Sequence, residues 1–264
     1  MLYLVLAAKS FRRMFAYRAA TLAGLVTNLF FGLLRAYVFV ALFAATPGQP
    51  VAGYSLRQAI TYAGLAQAMI GPIRMWGAYE VMDSIRSGQI AMDLCKPFDY
   101  LGFWLARDLG RAAWEIVARG LPLLLLYGWL FDLVLPETAG RWLAFGAALI
   151  LAILVSFHWQ LLVNLAAFWM VDATGLARIA FLGVLLFTGI VMPLAFFPDW
   201  LAGPARWLPF AAYVNTPAEV FLGLRVGSGL WLALGQQLAW LLILARVGRL
   251  VFRRGLQRLT AQGG

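Results

Sequence analysis

The chain has 264 residues, of which 63% are hydrophobic and 12% are charged, and its formal net charge is +10. Soluble globular domains hold about 45–50% apolar and about 25% charged residues, so this composition indicates an integral membrane protein. The basic residues do not indicate nucleic acid binding, because they gather in short segments between long apolar runs. Cys95 is the only cysteine, which excludes an intrachain disulfide and a cysteine-cluster metal site.

The first 20 residues predict an amphipathic helix. Leu4, Ala8, Phe11 and Phe15 recur at helical spacing opposite the basic residues of this segment. We therefore expect residues 1–20 to lie on the cytoplasmic membrane surface, with a basic flank of the first span as the alternative. The segment does not have the pattern of a cleaved signal peptide, because its charges follow the apolar start.

Six apolar stretches predict an all-α membrane protein with six transmembrane helices in one domain, residues 1–264. Five of them reach the about 20 residues that a helix needs to cross a bilayer. The third in chain order is apolar only over residues 120–135, but its helical pattern begins earlier. There Arg107, Arg111, Glu115 and Arg119 recur every four residues, which allows Arg111–Glu115 and Glu115–Arg119 pairs. The five longer stretches are residues 21–45, 56–79, 142–170, 176–196 and 229–251.

The distribution of lysine and arginine predicts that both termini lie in the cytoplasm. Fifteen of the 21 basic residues fall in the segments that six spans would place inside. Only Arg57, Arg141, Arg206 and Arg225 fall in the outer segments. This bias predicts a multi-pass protein of the plasma (inner) membrane, with residues 80–111 in the cytoplasm.

Residues 80–111 interrupt the apolar pattern between the second and third spans. We expect the helix of the second span to continue past the membrane edge and stop at Gly88, where left-handed geometry costs little. A short amphipathic helix follows, with Ile90 and Leu94 on one face, and Pro97 ends it. Asp99 can cap the next helix. Such a short helix is suited to contact another protein, and a helix that rests on lipid is the alternative.

Residues 193–227 hold five of the eleven prolines together with many apolar and aromatic residues. This mixture is too apolar for a solvated loop and too interrupted by proline for a full span. We expect short helices that re-enter the outer leaflet between spans five and six, with an amphipathic lid on the outer surface as the alternative. The candidate outer gate residues are Pro193, Phe197, Pro198, Trp200 and Pro217.

Polar residues within apolar stretches are costly in a membrane, so Arg35, Asp132 and Glu115 are expected to face the bundle interior. Structural pairing within the bundle is favoured over a role in transport. His158, the only histidine, is predicted to be a hydrogen-bonded core residue, with a proton or substrate contact as the alternative. Lys9 and Lys96 are the only lysines, and neither follows a glycine. A phosphate-binding GxxxxGK[ST] loop is therefore excluded. No nucleophile and base can be paired from spacing, so the chain is not expected to be an enzyme.

The run from Ile85 to Arg111, together with residues 192–223, resembles the permease subunits of ABC-2-type exporters. The resemblance covers essentially the whole chain. It departs from the family pattern at Lys96, where arginine is expected and the charge is kept. The residues that carry it are Ile85, Arg86, Ser87 and Gly88, then Lys96 and Pro97, then Phe197 and Pro198, then Pro217, Phe221, Leu222 and Gly223.

This resemblance implies a permease that dimerises with an identical or paralogous copy and engages separately encoded ATPase subunits. ATP and Mg would bind those partners, and no cofactor is expected on this chain. The helix after Gly88 would be the coupling helix that docks on the ATPase. The expected docking residues are Ile85, Arg86, Ser87, Gly88, Gln89, Ile90, Asp93, Leu94, Lys96 and Pro97.

The leading hypothesis is therefore the membrane subunit of an ATP-driven exporter. The many aromatic residues suggest an amphipathic or hydrophobic cargo, with anchoring at the membrane interface and packing as the alternative role of the eleven tryptophans. An ion-coupled carrier that works without an ATPase is the alternative. It would need carboxylates near the midplane of the membrane, whereas Glu115 and Asp132 fall near opposite ends of one predicted helix. A membrane-embedded enzyme would need a polar constellation that the sequence does not show.

Overall fold

The computed structural model describes residues 1–45, 48–75, 77, 79–170 and 172–259, and its regular structure over these ranges is helical. The predicted all-α class is confirmed. The α-helices in chain order are α1 (Leu2–Arg13), α2 (Arg18–Ala44), α3 (Leu56–Met69), α4 (Glu80–Arg86), α5 (Gln89–Leu94), α6 (Tyr100–Glu115), α7 (Leu121–Leu130), α8 (Ala139–Leu165), α9 (Thr174–Phe187), α10 (Asp199–Trp207), α11 (Asn215–Phe221) and α12 (Gly227–Leu256).

Within the described ranges, four helical stretches are long and apolar enough to cross a membrane. They are Leu2–Ala44, Tyr100–Leu130, Ala139–Phe168 and Gly227–Leu256. The apolar helix α9 is shorter, and α3 has 14 residues. Six spans therefore remain a prediction, because α3 and α9 alone do not reach the length that a bilayer requires.

The N-terminal residues form a helix of their own, α1, which a 3-10 turn over Met14–Tyr17 separates from α2. This helix packs along α6. The Ser10 hydroxyl donates a hydrogen bond of 2.7 Å to the Arg107 carbonyl oxygen, and the Tyr3 hydroxyl accepts one from the Asp99 amide. The helix predicted for the first 20 residues is thus present, and its polar contacts join it to α6.

The second predicted span is not a single helix. α3 ends at Met69 and α4 begins at Glu80, so the prediction that this helix continues to Gly88 is wrong. We call the connection between Met69 and Glu80 the break. Gly71 and Pro72 explain it, because glycine is a poor helix former and proline has no N–H to continue the hydrogen-bond ladder.

The third predicted span begins before its apolar run, as expected. α6, a π-helical turn over Ile116–Gly120 and α7 form one continuous helical stretch that ends at Leu130. Asp132 lies beyond this end, with a side chain that is 78% exposed and paired to Arg57 at 2.8 Å. The prediction that Asp132 faces the bundle interior is wrong, because Phe131 takes an extended conformation that ends the helix first.

The core centres on α3 and α8. Every residue of α3 from Ala59 to Met69 is buried, and Tyr62 and Leu65 are among the largest fully buried side chains. α12 packs along α8, where the Gln237 amide donates hydrogen bonds to the carbonyl oxygens of Ala148 (3.1 Å) and Ala212 (2.8 Å). This buried glutamine joins α8 and α12 to a 3-10 turn over Pro209–Ala212.

Gly110 tests the packing of α1 on α6. Gly110→Ala is expected to destabilise the protein by about 1–3 kcal/mol, because a Cβ there would overlap the Ala7 carbonyl oxygen of α1. Gly146→Ala in α8 is the control, since no other side chain or distant backbone atom lies within 4 Å of the position that its methyl group would take. This control should leave stability unchanged or raise it slightly. Thermal unfolding in detergent measures both. Equal melting temperatures would show that α1 does not press on α6.

Candidate functional site

α4 and α5 meet at Gly88 and form a corner, residues 80–97, that lies between α3 and α6 in chain order. Gly88 has a φ of +73°, the left-handed conformation predicted for it. Ile85 and Ile90 point inward and belong to a buried cluster with Tyr100 of α6 and Phe252 of α12. Ile85 is buried and Ile90 fully so, and the prediction that these two residues offer a contact to a partner is therefore wrong. A helix of six residues needs such an internal anchor, because it is not stable alone.

The outer face of α5 is exposed and apolar. Met92 is 73% exposed and Leu94 is 38% exposed. Of these two residues, sequence analysis named only Leu94. Asp93 is half-buried and holds the corner instead of facing outward, since it accepts a hydrogen bond of 2.6 Å from Lys96. The remaining predicted docking residues are exposed: Arg86, Ser87, Gly88, Gln89, Lys96 and Pro97.

Two further contacts fix the corner. The Asp99 side chain accepts a hydrogen bond of 2.6 Å from the Gly102 amide and caps α6, as predicted. Arg86 pairs at 3.7 Å with Asp172, which follows α8. Hydrogen bonds from the Thr174 hydroxyl and amide hold the pKa of Asp172 below its usual value, so this partner stays charged.

Arg111 compensates the break between α3 and α4. Its two terminal nitrogens donate hydrogen bonds of 2.6 Å and 2.9 Å to the carbonyl oxygens of Gly71 and Pro72. Its Nε donates to Asp108 at 2.9 Å, and Asp108, which is buried, also pairs with Arg74 at 2.5 Å. One guanidinium thus satisfies carbonyl groups that a continuous helix would have satisfied itself.

Two more ion pairs extend this network. Arg74 pairs with Glu80 at 2.9 Å. Burial raises the pKa of Glu80, but the Arg74 guanidinium outweighs burial and lowers the pKa below its usual value. Glu115 is buried and pairs with Arg119 at 3.0 Å, as predicted. The predicted Arg111–Glu115 pair does not form among the residues that the structure describes. Arg111 pairs with Asp108 instead and donates hydrogen bonds to the break.

A cavity of about 590 Å³ lies against the network, in the size range of small-molecule sites. It is bounded by α1, the start of α2, the break, α4, α6 and the C-terminal half of α8. Broken helices that line a cavity mark substrate sites in many membrane transporters. The charged residues that line this one are Arg13, Arg74, Glu80, Arg107, Asp108, Arg111, Glu115 and Arg119.

The outer segment, residues 193–227, contains α10, a 3-10 turn over Pro209–Ala212, and α11. Short helices are thus present as predicted, and their entry into a bilayer remains a prediction. The polar anchor of the segment is Asn215. Its side-chain oxygen accepts hydrogen bonds from the Leu194 amide (3.0 Å) and the Tyr62 hydroxyl (3.3 Å), which joins the segment to α3.

The predicted outer gate residues do not form one cluster. Pro193 and Pro217 are buried, Phe197 is half-buried, and Pro198 and Trp200 are exposed on the protein. Phe197 packs against the small cluster around Leu194, while Pro217 lies in the first turn of α11. The five residues thus share a segment of the chain but do not contact one another as a group.

The other polar residues singled out from the sequence lie apart from the cavity. Arg35 is half-buried in α2, and its Nη1 has no hydrogen-bond acceptor among the residues that the structure describes. The His158 Nδ1 lies 2.8 Å from the Leu154 carbonyl oxygen, which agrees with a hydrogen-bonded core histidine.

Sequence analysis missed the central members of both networks: Arg74 and Asp108 near the break, and Tyr62 and Asn215 at the outer segment. A signal for the first pair was present, because a Gly-Pro step beside an arginine inside an apolar stretch predicts an interrupted helix whose carbonyl groups need a donor. Tyr62 and Asn215 are far apart in sequence, and no local pattern joins them.

Helices of membrane-crossing length, an interrupted buried helix and a charged cavity beside it define a helical membrane protein of the transporter class. The family model for ABC-2 family transporter proteins matches residues 30–263. The chain belongs to this family and is an ABC-2-type permease. No curated protein matches the chain.

The contacts of Arg111 generate a stability test. Arg111→Gln should destabilise the protein by about 2 kcal/mol or more, because it removes donors from two carbonyl groups and leaves Asp108 with Arg74 alone. Arg57→Gln is the control, since its pair with Asp132 is exposed and should contribute less than about 1 kcal/mol. Thermal unfolding in detergent compares them, and similar shifts for both would contradict the role given to Arg111.

Proposed function

We propose that the chain is the membrane-spanning permease of an ATP-driven exporter that moves an amphipathic substrate out of the cytoplasm. A separate ATPase subunit would bind ATP and Mg, dock on the α4–α5 corner and drive the transport cycle. Membership of the ABC-2 family supports this proposal, and the geometry of the corner is the structural observation that carries it.

The corner has the two properties that a coupling element needs. Its exposed face presents Met92 and Leu94, which can enter an apolar pocket on a partner. Its inner face is anchored by Ile85 and Ile90 against α6, α8 and α12. A displacement of the corner is therefore transmitted to the helices of the bundle and not absorbed by a loose loop.

α4 also connects the corner to the charged network. Glu80 is the first residue of α4, and its pair with Arg74 reaches the break and, through Asp108, reaches Arg111 on α6. Docking at Met92 and Leu94 would thus act on the wall of the cavity. This continuity supports coupling between an ATPase and the permeation path.

α2 supports the proposal that a second permease, identical or paralogous, completes the transporter. One face of α2 packs on its own bundle through Gly32, Ala36 and Phe39. The opposite face exposes large apolar side chains, which suits either lipid or a second permease: Leu22, Val26, Phe30, Leu34 and Val38. We further propose six spans, with α3 extended by the break and with both termini in the cytoplasm.

The charges within the bundle favour this proposal over an ion-coupled carrier. Such a carrier needs a carboxylate that takes up and releases a cation within the membrane. Asp132 lies outside the helix and is exposed. The buried carboxylates of the described residues are each paired with arginine: Glu115 with Arg119, Asp108 with Arg74 and Arg111, and Glu219 with Arg225.

If the ATPase docks on α5, a negative charge added to the exposed face of this helix should weaken ATPase binding. Met92→Glu and Leu94→Glu should each weaken ATPase binding by more than about 30-fold, because anchor residues commonly contribute about 2 kcal/mol or more. The permease should still fold, since both side chains are exposed. Co-purification of the ATPase and the rate of ATP hydrolysis by the complex measure the effect.

Gln257→Glu is the matched control, because it adds the same charge to an exposed position just after α12. It should leave ATPase binding within about twofold of the unmodified protein. Full ATPase binding in both α5 variants would show that the α4–α5 corner is not the docking site.

Cys95 provides a test of orientation without engineered cysteines. It is the only cysteine of the chain and it is exposed at the end of α5. A membrane-impermeant maleimide should label it in inside-out vesicles and leave it unlabelled in right-side-out vesicles. The unlabelled variant Cys95→Ser reports background, and labelling from the outer side alone would overturn the proposed orientation.

A further inference from the structure

The charges that line the cavity do not balance. Five arginines and three carboxylates face it, and each carboxylate is already paired with an arginine. Arg74 and Arg111 share Asp108, Arg74 also pairs with Glu80, and Arg119 pairs with Glu115. Two arginines of the cavity wall, Arg13 and Arg107, remain without an ion-pair partner in the part of the chain that the structure describes.

Arg13 and Arg107 come from different helices and converge on the cavity. Arg107 of α6 is half-buried and lies over the Trp104 ring, with its guanidinium carbon 4.5 Å from the ring centroid. This stacking fixes the guanidinium plane and leaves its edge free to donate hydrogen bonds. The charges of Arg13 and Arg74 repel this guanidinium, and those of Glu80 and Asp93 attract it. An anion between Arg13 and Arg107 would counter the repulsion between these two arginines.

Two buried polar atoms of the same wall are also unsatisfied. The Nε of Arg119 has no acceptor and the Oδ2 of Asp108 has no donor among the described residues. Buried polar atoms normally have a partner, so each such atom needs an explanation. Arg119 offers a donor to an oxyanion, and Asp108 offers an acceptor to a hydroxyl group.

We propose that this cavity binds a phosphate ester that carries hydroxyl groups, with Arg13 and Arg107 holding the phosphate. Guanidinium groups match the geometry of phosphate oxygens and bind them through paired, charge-assisted hydrogen bonds. The excess of two positive charges suits a phosphate monoester or diester, and Asp108 accepts a hydrogen bond from a hydroxyl group of the ligand. The cavity, at about 590 Å³, has room for a glycerol phosphate group.

The same chemistry occurs in a lipid headgroup and in a soluble phosphate ester. Phosphatidylglycerol and glycerol 3-phosphate represent these two sources, and phosphatidylcholine, whose headgroup has no hydroxyl and no net charge, is the reference lipid. The inference concerns ligand binding, so it does not depend on ATPase docking or on export.

The experiment measures binding of each of these three probes to the full-length protein in detergent by native mass spectrometry. Arg13→Gln and Arg107→Gln should each weaken binding of the favoured phosphate ester by about tenfold or more, the effect expected from one lost charge-assisted contact. Arg12→Gln is the matched control, because Arg12 is exposed on the same helix and does not line the cavity. It should change binding by less than about twofold.

Tight binding of phosphatidylglycerol that falls in both variants supports a lipid headgroup, and the same result with glycerol 3-phosphate supports a soluble ester. Because Arg13 is exposed on α1, its replacement tests the site even where Arg107→Gln alters packing. Two results would overturn the proposal: no preference of the unmodified protein for either ester over phosphatidylcholine, or equal binding by the unmodified protein and both variants.

Discussion

The half of the structure around the break depends on one requirement: carbonyl groups freed between α3 and α4 must be satisfied inside the protein. Water is scarce in an apolar bundle, and an unsatisfied carbonyl group there costs several kcal/mol. Arg111 supplies the donors for Gly71 and Pro72. A buried guanidinium needs a counter-charge in turn, which Asp108 provides. The break therefore requires a charged network, and this requirement explains why Arg74, Asp108 and Arg111 lie together in so apolar a chain.

The sequence predicted those features that are decided by residues adjacent in the chain. Gly88 adopts its left-handed conformation because of its own missing side chain, and Asp99 caps a helix that begins one residue later. The burial of Ile90 could not be predicted in this way, because the residues that cover it, Tyr100 and Phe252, lie on two other helices. The amphipathic pattern of α5 indicated that an apolar face is present and not the direction in which that face points.

α3 is held by polar contacts of different kinds near its middle and just beyond its C-terminal end. Near its middle, Tyr62 joins α3 to Asn215 and to the Gly189 carbonyl oxygen, so residues 193–227 are attached to a helix that is buried along most of its length. Just beyond Met69, the Arg111 guanidinium donates hydrogen bonds to the break, and Asp108 balances its charge. A bound charge acts more strongly on this ionic network than on the neutral hydrogen bonds of Tyr62, because a ligand can compete for the ions of the network.

α1 contributes to the wall of the charged cavity. α1 is fastened to α6 by Ser10 at Arg107 and closes one side of the cavity with Arg13. α6 also carries Asp108 and Arg111, so the helix on which α1 packs is the helix that supports the break. The N-terminal helix is thus part of the cavity wall, and its Arg13 faces the same cavity as the charges of the interrupted helix.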